Sequence, residues 1–264
     1  LNNYATVAGG RNNTAAGLYS TVGAGYSNTA SGYISTVGGG KTNTASGYYA
    51  TVGGGHNNIA LGTNATVGGG RSNTASNNYS TVGGGNSNTA SGQYATVGGG
   101  NTNTASANYA TVAGGLSGLA DRYGMFAHAS GQFSAQGDAQ AVEFVARNTT
   151  TGATTAVLFL GGSSVRFTVS NNSILSGILT ISGFNSTGTK VGLYQRSLLI
   201  QNVGGTTTLP HVSTISTDHE TDATWNVTIT ADNATDSLNI ACLGSAGDTV
   251  RWVAVFRGLQ ILMP

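Results

Sequence analysis

The sequence predicts an all-β chain: a parallel β-roll, a β-solenoid with a 15-residue repeat, followed by a β-sandwich or jelly-roll-like C-terminal domain. Three observations predict it. One phrase, Y-[AS]-T-V-G-G-G-x-x-N-T-A-S-G-x, recurs nine times between Tyr4 and about Gly137. Its landmarks never slip: Val7, Val22, Val37, Val52, Val67, Val82, Val97 and Val112 recur at one constant step. Beyond it, short alternating apolar segments are punctuated by Gly, Asn, Asp and Ser, with no segment of helical period. A fixed short period marks a solenoid, and spaced alternating segments mark a sandwich or jelly roll.

So short a repeat cannot hold a helical hairpin and suits one coil of two short strands and two tight turns. The strands are Ala5-Thr6-Val7 and Asn13-Thr14-Ala15 and their equivalents. Side chains alternate along a strand. Val7 and Ala5 therefore point inward, with Asn13 and Ala15 on the second strand, while Tyr4, Thr6 and Ala8 point out. Glycine clusters such as Gly38-Gly39-Gly40 supply one turn, where positive φ is needed. Gly17, Gly32, Gly47, Gly62 and Gly92 supply the other. Asn13 through Asn103 are expected to stack as an amide ladder, with turns about 4.8 Å apart.

Each turn buries one Val and two small residues, a thin core against the entropy of ordering a whole repeat. The roll is therefore expected to need a partner surface. Tyr4, Tyr19, Ile34, Tyr49, Tyr79, Tyr94 and Tyr109 form an outward column suited to a subunit interface. An exposed ladder and a sugar-stacking surface are the other readings of that column.

Charge and composition bound the function. Charged residues make up 7% of 264 residues and the net charge is +1, which argues against nucleic-acid binding through basic patches. Forty-two glycines with only two prolines exclude collagen. No apolar run has the length of a membrane span, so no membrane insertion is expected. Cys242, the single cysteine, reads as a buried strand residue. Leu1-Asn2-Asn3-Tyr4 matches the repeat end Ser76-Asn77-Asn78-Tyr79, so the chain is expected to be a fragment or processed product.

No Asp or Glu precedes Asp121, so the repeat can hold neither paired carboxylates nor a calcium-binding roll. No P-loop is present. Arg11, Lys41 and Arg71 share one repeat position on every second repeat. They form a sparse basic line able to meet an anionic polysaccharide or simply to keep an uncharged roll soluble. His56 shares the position without acidic or thiol neighbours. The Thr column is similar to ice-binding arrays, but its Tyr and Gly neighbours make that face irregular.

The pattern N-T-A-S-G-x-Y-A-T-V-G-G-G resembles the head repeat of trimeric autotransporter adhesins, the YadA-like heads. That resemblance implies a left-handed parallel β-roll and a homotrimer. It covers about half of the chain, and the heads' usual repeat is slightly shorter than the one here.

The repeat decays after Val112. Ala127 keeps the Val spacing and Ala135 the Ala spacing, so two worn turns are expected. The domains are expected at 1–137, a β-roll shaft, and 138–264, a β-rich tip domain. Strands are expected at Ala141–Arg147, Ala156–Leu160, Val165–Val169, Ser176–Ser182, Lys190–Ile200, Trp225–Thr230, Leu238–Leu243 and Val250–Phe256. Residues Ala129 to Gln140, then Phe144 to Thr150, resemble the junction of phage tail-fibre proteins. Trp225 to Asp232, Ser237 to Ile240 and Val250 to Ala254 resemble their C-terminal region. This implies a viral or prophage fibre with a host-binding tip, and carries no receptor residues over.

Within the second half, Asp218-His219-Glu220-Thr221-Asp222 is the one local cluster of metal-capable side chains. It reads as a solvated loop, without the spacing of a known metal loop. Residues 231–236 read as a hairpin turn and His211 as loop. Trp225 and Trp252 read as core. Arg251 and Arg257 share one face of the last strand, where pairing with acids across subunits is one open reading.

The function expected is a structural and adhesive homotrimeric phage tail fibre, extracellular on the virion tail, whose tip meets a host-surface glycan or protein. Catalytic, cofactor and metal residues are expected to be absent, and the chain is expected not to be an enzyme. The alternatives are a bacterial trimeric adhesin head on a cell surface, a self-assembling extracellular fibril subunit, or a capsule depolymerase with paired carboxylates in the tip.

Overall fold

The computed structural model describes residues 4–263, so Leu1-Asn2-Asn3 and Pro264 lie outside the described residues. The chain is all-β, with no helix among the described residues. It divides into two compact units, Leu1–Gln132 and Phe133–Pro264.

The first unit is a parallel β-solenoid. One ladder runs from Thr6–Val7 through Thr111–Leu116 to Phe126–Ser130, and a second of eight strands from Thr14–Ala15 to Leu119–Ala120. Every strand pairs in register with its equivalent one repeat on, as in Thr36↔Thr51 and Thr74↔Thr89. Ladder bonds are uniform: Thr36 N–H to Ala50 O is 2.9 Å and Thr44 N–H to Asn58 O is 2.8 Å.

The strand alternation places four residues of each turn inside. Val22 to Val112 in the Val column are fully buried, as are Ala30 to Ala120 in the Ala column. Ser20, Ser35, Ala50, Ala65, Ser80, Ala95 and Ala110 fill the position two before each Val, and Asn28 to Asn103 close the core. Val7 differs. It is 46% exposed, because among the described residues it has a ladder neighbour, Val22, on one side only.

The Asn column departs from an amide ladder. The Asn73 amide donates to Gly69 O of its own turn at 2.8 Å and to Gly85 O of the next at 2.9 Å, and its Oδ1 accepts the Asn88 N–H at 3.0 Å. Each buried Asn thus clamps the Gly-rich turn, sharing the second carbonyl with a backbone N–H, as Gly85 O also accepts the Arg71 N–H at 2.9 Å. A direct amide contact does join Asn43 to Asn28, at 3.2 Å.

The glycines stand in both turns, as expected, with Ser20 N–H donating to Gly17 O at 3.1 Å across the second, but for different reasons. Gly40 and its equivalents do adopt positive φ, 87° at Gly40. Gly17, Gly32, Gly47 and Gly62 do not. A Cβ there would collide with the backbone of the next turn, as at Gly47 against the Gly62 carbonyl. The left-handed corner falls instead on the outward Tyr column: φ is 58° at Tyr19, 53° at Ile34 and 59° at Tyr94. A β-branched residue is an outlier in that region, so Ile34 is strained.

The decay of the repeat is partial. Ala127 pairs in register with Val112 and is buried, and a bulge between Val112 and Gly115 follows. Ala135 does not keep the Ala position. It is exposed in a turn that Asp138 holds by accepting the N–H groups of Phe133, Ser134 and Ala135 at 2.8, 2.6 and 2.7 Å.

The second unit is two packed antiparallel sheets. The larger has the order Ala139–Thr151, Thr249–Leu262, Ser173–Asn185, Val191–Val203, Thr206–Thr214, with His219–Glu220 also against Val191–Val203. The smaller sets Ser237–Leu243 against Thr155–Val157, Phe167–Thr168 and Asn226–Asp232. Phe144 and Phe256 of one sheet meet Phe167 of the other at ring distances of 4.5 and 5.6 Å. Residues 231–236 form the expected hairpin connection.

Two strands escape the alternation reading. Thr206–Thr214 contains Pro210, tolerated because the strand lies at the sheet edge beside a register shift between Leu199 and Gln201. His211 is therefore strand, opposite Leu199, and not loop. His219–Glu220 is the other.

Candidate functional site

The solenoid's outer columns are built by the same register that builds its core. In the Tyr column, Tyr4 stacks on Tyr19 at 5.3 Å, Tyr79 on Tyr94 at 4.8 Å and Tyr94 on Tyr109 at 5.0 Å, with planes within 10°. Tyr49 instead meets Tyr33 edge-on at 5.6 Å, and Asn64 interrupts the column. Ile34 and all six of these tyrosines are exposed.

The basic line is a second column. Successive residues bridge one another: Arg11↔Tyr26↔Lys41↔His56↔Arg71↔Asn86↔Asn101. The Arg11 guanidinium lies 5.9 Å and the Lys41 ammonium 6.0 Å from the Tyr26 ring centre, one turn either side. Arg11, Tyr26, Lys41, His56 and Arg71 are all exposed.

In the second unit the outward face of the larger sheet is assembled from strands distant in sequence. Its rungs read Val145–Val255–Thr180–Gln195, then Glu143–Arg257–Ile178–Ser197–Ser213, then Ala141–Leu259–Ser176–Leu199–His211. Val145, Val253, Ile178, Phe184, Leu193, Leu259 and Ile261 are exposed on it. Two depressions of about 360 and 380 Å³ adjoin at Ile178. Arg257 meets Glu143 at 2.6 Å within the chain.

The local acid cluster is not a solvated loop. The fold sends its acids to different partners. Asp218 chelates the Arg196 guanidinium, with Oδ2 2.6 Å from Nη2. Glu220 faces the buried Tyr194 hydroxyl, whose pKa is pushed up by burial first and by Glu220 second. Asp222 meets Lys190 Nζ at 2.8 Å, and Asp248 meets the same Nζ at 2.7 Å. Ser245 Oγ donates to Asp248 at 2.6 Å and receives the Trp225 indole N–H at 3.2 Å.

This network brings together two carboxylates, Asp222 and Asp248, that sequence order keeps on separate segments. The Lys190 bond holds both well below the usual carboxylate range, and their bonds raise the Lys190 pKa. With Lys190 between them the pair supplies two ionised groups; a general acid would require one of them to leave the ammonium. Trp225 and Trp252 are buried and pack at 5.1 Å, and burial pushes the Cys242 thiol up to about 12.

No family model and no curated protein matches the chain. Three solved structures to which it is similar are phage tailspike proteins. That of Acinetobacter baumannii phage AM24 is 8% identical, with TM-score 0.30, over 94% of this chain and 54% of that one. That of Acinetobacter phage vB_ApiP_P1 is 9% identical, with TM-score 0.26, over 92% and 56%. The tailspike gp49 from A. baumannii bacteriophage Fri1, described as a capsular polysaccharide depolymerase, is 7% identical, with TM-score 0.29, over 95% and 63%. The chain therefore spans less than two thirds of each of these proteins. At such identities and scores the likeness transfers no residue and no activity. The expectation that the chain is not an enzyme is corrected to this extent: one of the structures it is similar to is described as a capsular polysaccharide depolymerase.

Proposed function

We propose that the chain is part of a phage receptor-binding fibre or tailspike, working as a homotrimer on the virion tail, outside the cell. Residues 1–137 serve as the β-roll shaft and 138–264 as the unit that contacts a host-surface glycan or protein. The observation that carries the reading is the uniform solenoid. Every turn repeats the same register around a core of one Val and small residues, which makes a regular, stiff scaffold rather than a shaped cavity. Two unpartnered surfaces support the trimer: the stacked Tyr column, and the apolar outward face of the larger sheet. Three copies would turn weak host contacts into avidity.

Light scattering behind size exclusion tests the assembly. A mass of three chains is expected; a monomer overturns the argument that thin core and exposed faces need partners. Open-ended polymers would favour a self-assembling fibril. Binding of the purified chain to immobilised bacterial surface polysaccharides tests the host contact, and release of reducing ends in the same wells tests depolymerisation. The alternative of a bacterial trimeric adhesin head rests on the head-like repeat N-T-A-S-G-x-Y-A-T-V-G-G-G, and predicts the same trimer with binding to animal rather than bacterial surfaces.

A further inference from the structure

The basic column offers more than solubility. Arg11, Lys41 and Arg71 stand on every second turn, which places their charges about 10 Å apart along the stacking direction. Tyr26 and His56 occupy the turns between. Both flanking cations approach the Tyr26 ring, so the column alternates charge with a flat ring. No carboxylate precedes Asp121 in the sequence, and no ion pair is formed by these three cations among the described residues. The three charges are exposed, aligned and unneutralised. A surface ladder that keeps only one sign of charge, at a fixed interval, is complementary to a linear polyanion of matching interval.

We propose that this column binds a linear acidic polysaccharide lying along the solenoid, with one carboxylate per disaccharide. Alternate sugars present their acids to Arg11, Lys41 and Arg71, and an intervening sugar lies against the Tyr26 ring. A two-sugar repeat is commensurate with two strand spacings, so successive acids meet successive cations without strain in either partner. The proposal rests on the reading that the chain contacts a host-surface glycan, and adds to the contact made by residues 138–264 a second one, with a charged glycan, along the solenoid.

The column itself shows which substitutions the fold accepts. Asn86 and Asn101 occupy the same position and bond to one another at 3.0 Å. Arg11→Asn, Lys41→Asn and Arg71→Asn therefore remove charge while keeping a residue the register already carries. The register makes a sharper demand. Asn101 continues the two-turn interval after Arg71, whereas Asn86 falls between. Asn101→Arg extends the matching series, and Asn86→Arg adds the same charge out of step.

The test is binding of the full chain to hyaluronan, which carries one carboxylate per disaccharide, with neutral dextran as control. Hyaluronan is expected to bind, dextran not, and binding to weaken as salt is raised through the range in which the screening length falls below about 10 Å. The triple Asn variant should bind roughly tenfold more weakly, since each exposed charge contact contributes modestly and the three act together. Asn101→Arg should tighten binding about two- to fivefold, and Asn86→Arg less. Equal effects of the two Arg variants overturn the register match. Equal binding of hyaluronan by the triple variant and the unaltered chain overturns the site. If the triple variant also keeps its binding to bacterial surface polysaccharides, the host contact lies elsewhere and the proposed function survives. If the unaltered chain binds no surface polysaccharide at all, the glycan reading of the proposed function fails with it.

Discussion

The two units are stable for opposite reasons. In the solenoid every contact is made with the turn before or the turn after, the buried polar groups are mostly asparagines bonded to backbone, and no carboxylate occurs before Asp121. In the second unit the first long strand, Ala139–Thr151, pairs residue by residue with the last, Thr249–Leu262. Its core is a cluster of aromatic rings, and its surface is cross-braced by Lys190 and Arg196. The solenoid is a sum of near-identical neighbour terms, so damage should stay local. The second unit closes on its own ends, so damage should spread through it.

Removing a core ring is the strongest way to expose that difference. Phe256 is buried between Phe144 and Phe167, at 6.3 and 5.6 Å. Phe256→Ala should cost about 3–5 kcal/mol. Amide exchange should accelerate throughout residues 139–262 and stay unchanged at the Val column. Loss confined to the strands touching Phe256 would mean the second unit is not cooperative.

The matching break in the solenoid is Asn73→Ala. It leaves Gly69 O and the Asn88 N–H without their buried partner, while Gly85 O keeps only the Arg71 N–H. An unsatisfied buried group costs about 1–3 kcal/mol, and with water reaching the turn a total of about 2–4 kcal/mol is expected. Exchange should rise in the turns flanking Gly70 and Gly85 and fall back to normal a few turns away. Loss of protection along the whole solenoid would show that its turns do not act as neighbours only.

What could be read from the sequence follows the same division. The constant repeat spacing fixes the pairing partner of every solenoid residue, so the inward Val, Ala and Asn sets are legible from the sequence alone. Backbone detail is not: nothing in a repeated Tyr announces a left-handed corner, and nothing shows that Gly17 heads its turn because of clearance beneath Gly32 and not because of positive φ. In the second unit alternation finds strands but names no partners. Asp218, Glu220 and Asp222 therefore look like one cluster in the sequence, because Arg196, Tyr194 and Lys190, which divide them, come from an earlier part of the chain. The carboxylate pair at Lys190 is hidden for the same reason. The signal that could have found it is the single Lys in a domain with so few charges.

Acid should separate the units with a smaller effect. The pKa values of Asp222 and Asp248 are depressed by Lys190; for Asp138 burial pushes the pKa up, and three backbone N–H groups together with the Ser134 hydroxyl outweigh it and depress the value. A depressed carboxylate contributes stability that is complete above its unfolded value, about 4, and is lost as pH falls through the folded value. The second unit should therefore lose thermal stability progressively below about pH 4, while the solenoid changes little. Lys190, whose pKa is raised, keeps its contribution until pH climbs past the usual lysine range, so the neutral region should be flat. A melting profile in which both units weaken together in acid would contradict the assignment. Lys190→Met should reduce the acid dependence, leaving what the Asp138 turn and the Thr224, Ser245 and Asn185 bonds contribute.

The smallest effect concerns Ile34, where the solenoid breaks its own rule. Ile34 holds φ at 53° and is 39% exposed, while Asn64 holds the same corner at 56°. Asn visits the left-handed region readily and a β-branched residue does not. In an isolated chain, Ile34→Asn should therefore stabilise the solenoid by about 1 kcal/mol, the strain released exceeding the little apolar burial lost. A trimer reverses the sign if the Tyr column is its interface, because Ile34 is then covered and its burial becomes worth more than its strain. The two measurements must be made on one preparation: the effect on unfolding of the solenoid, and the effect on the mass in solution. Stabilisation without change of mass places the column on the outside of the assembly and leaves the larger sheet's apolar face as the surface that holds the copies together. Destabilisation with dissociation makes the strained Ile34 an interface residue, retained where an unstrained Asn would fold better.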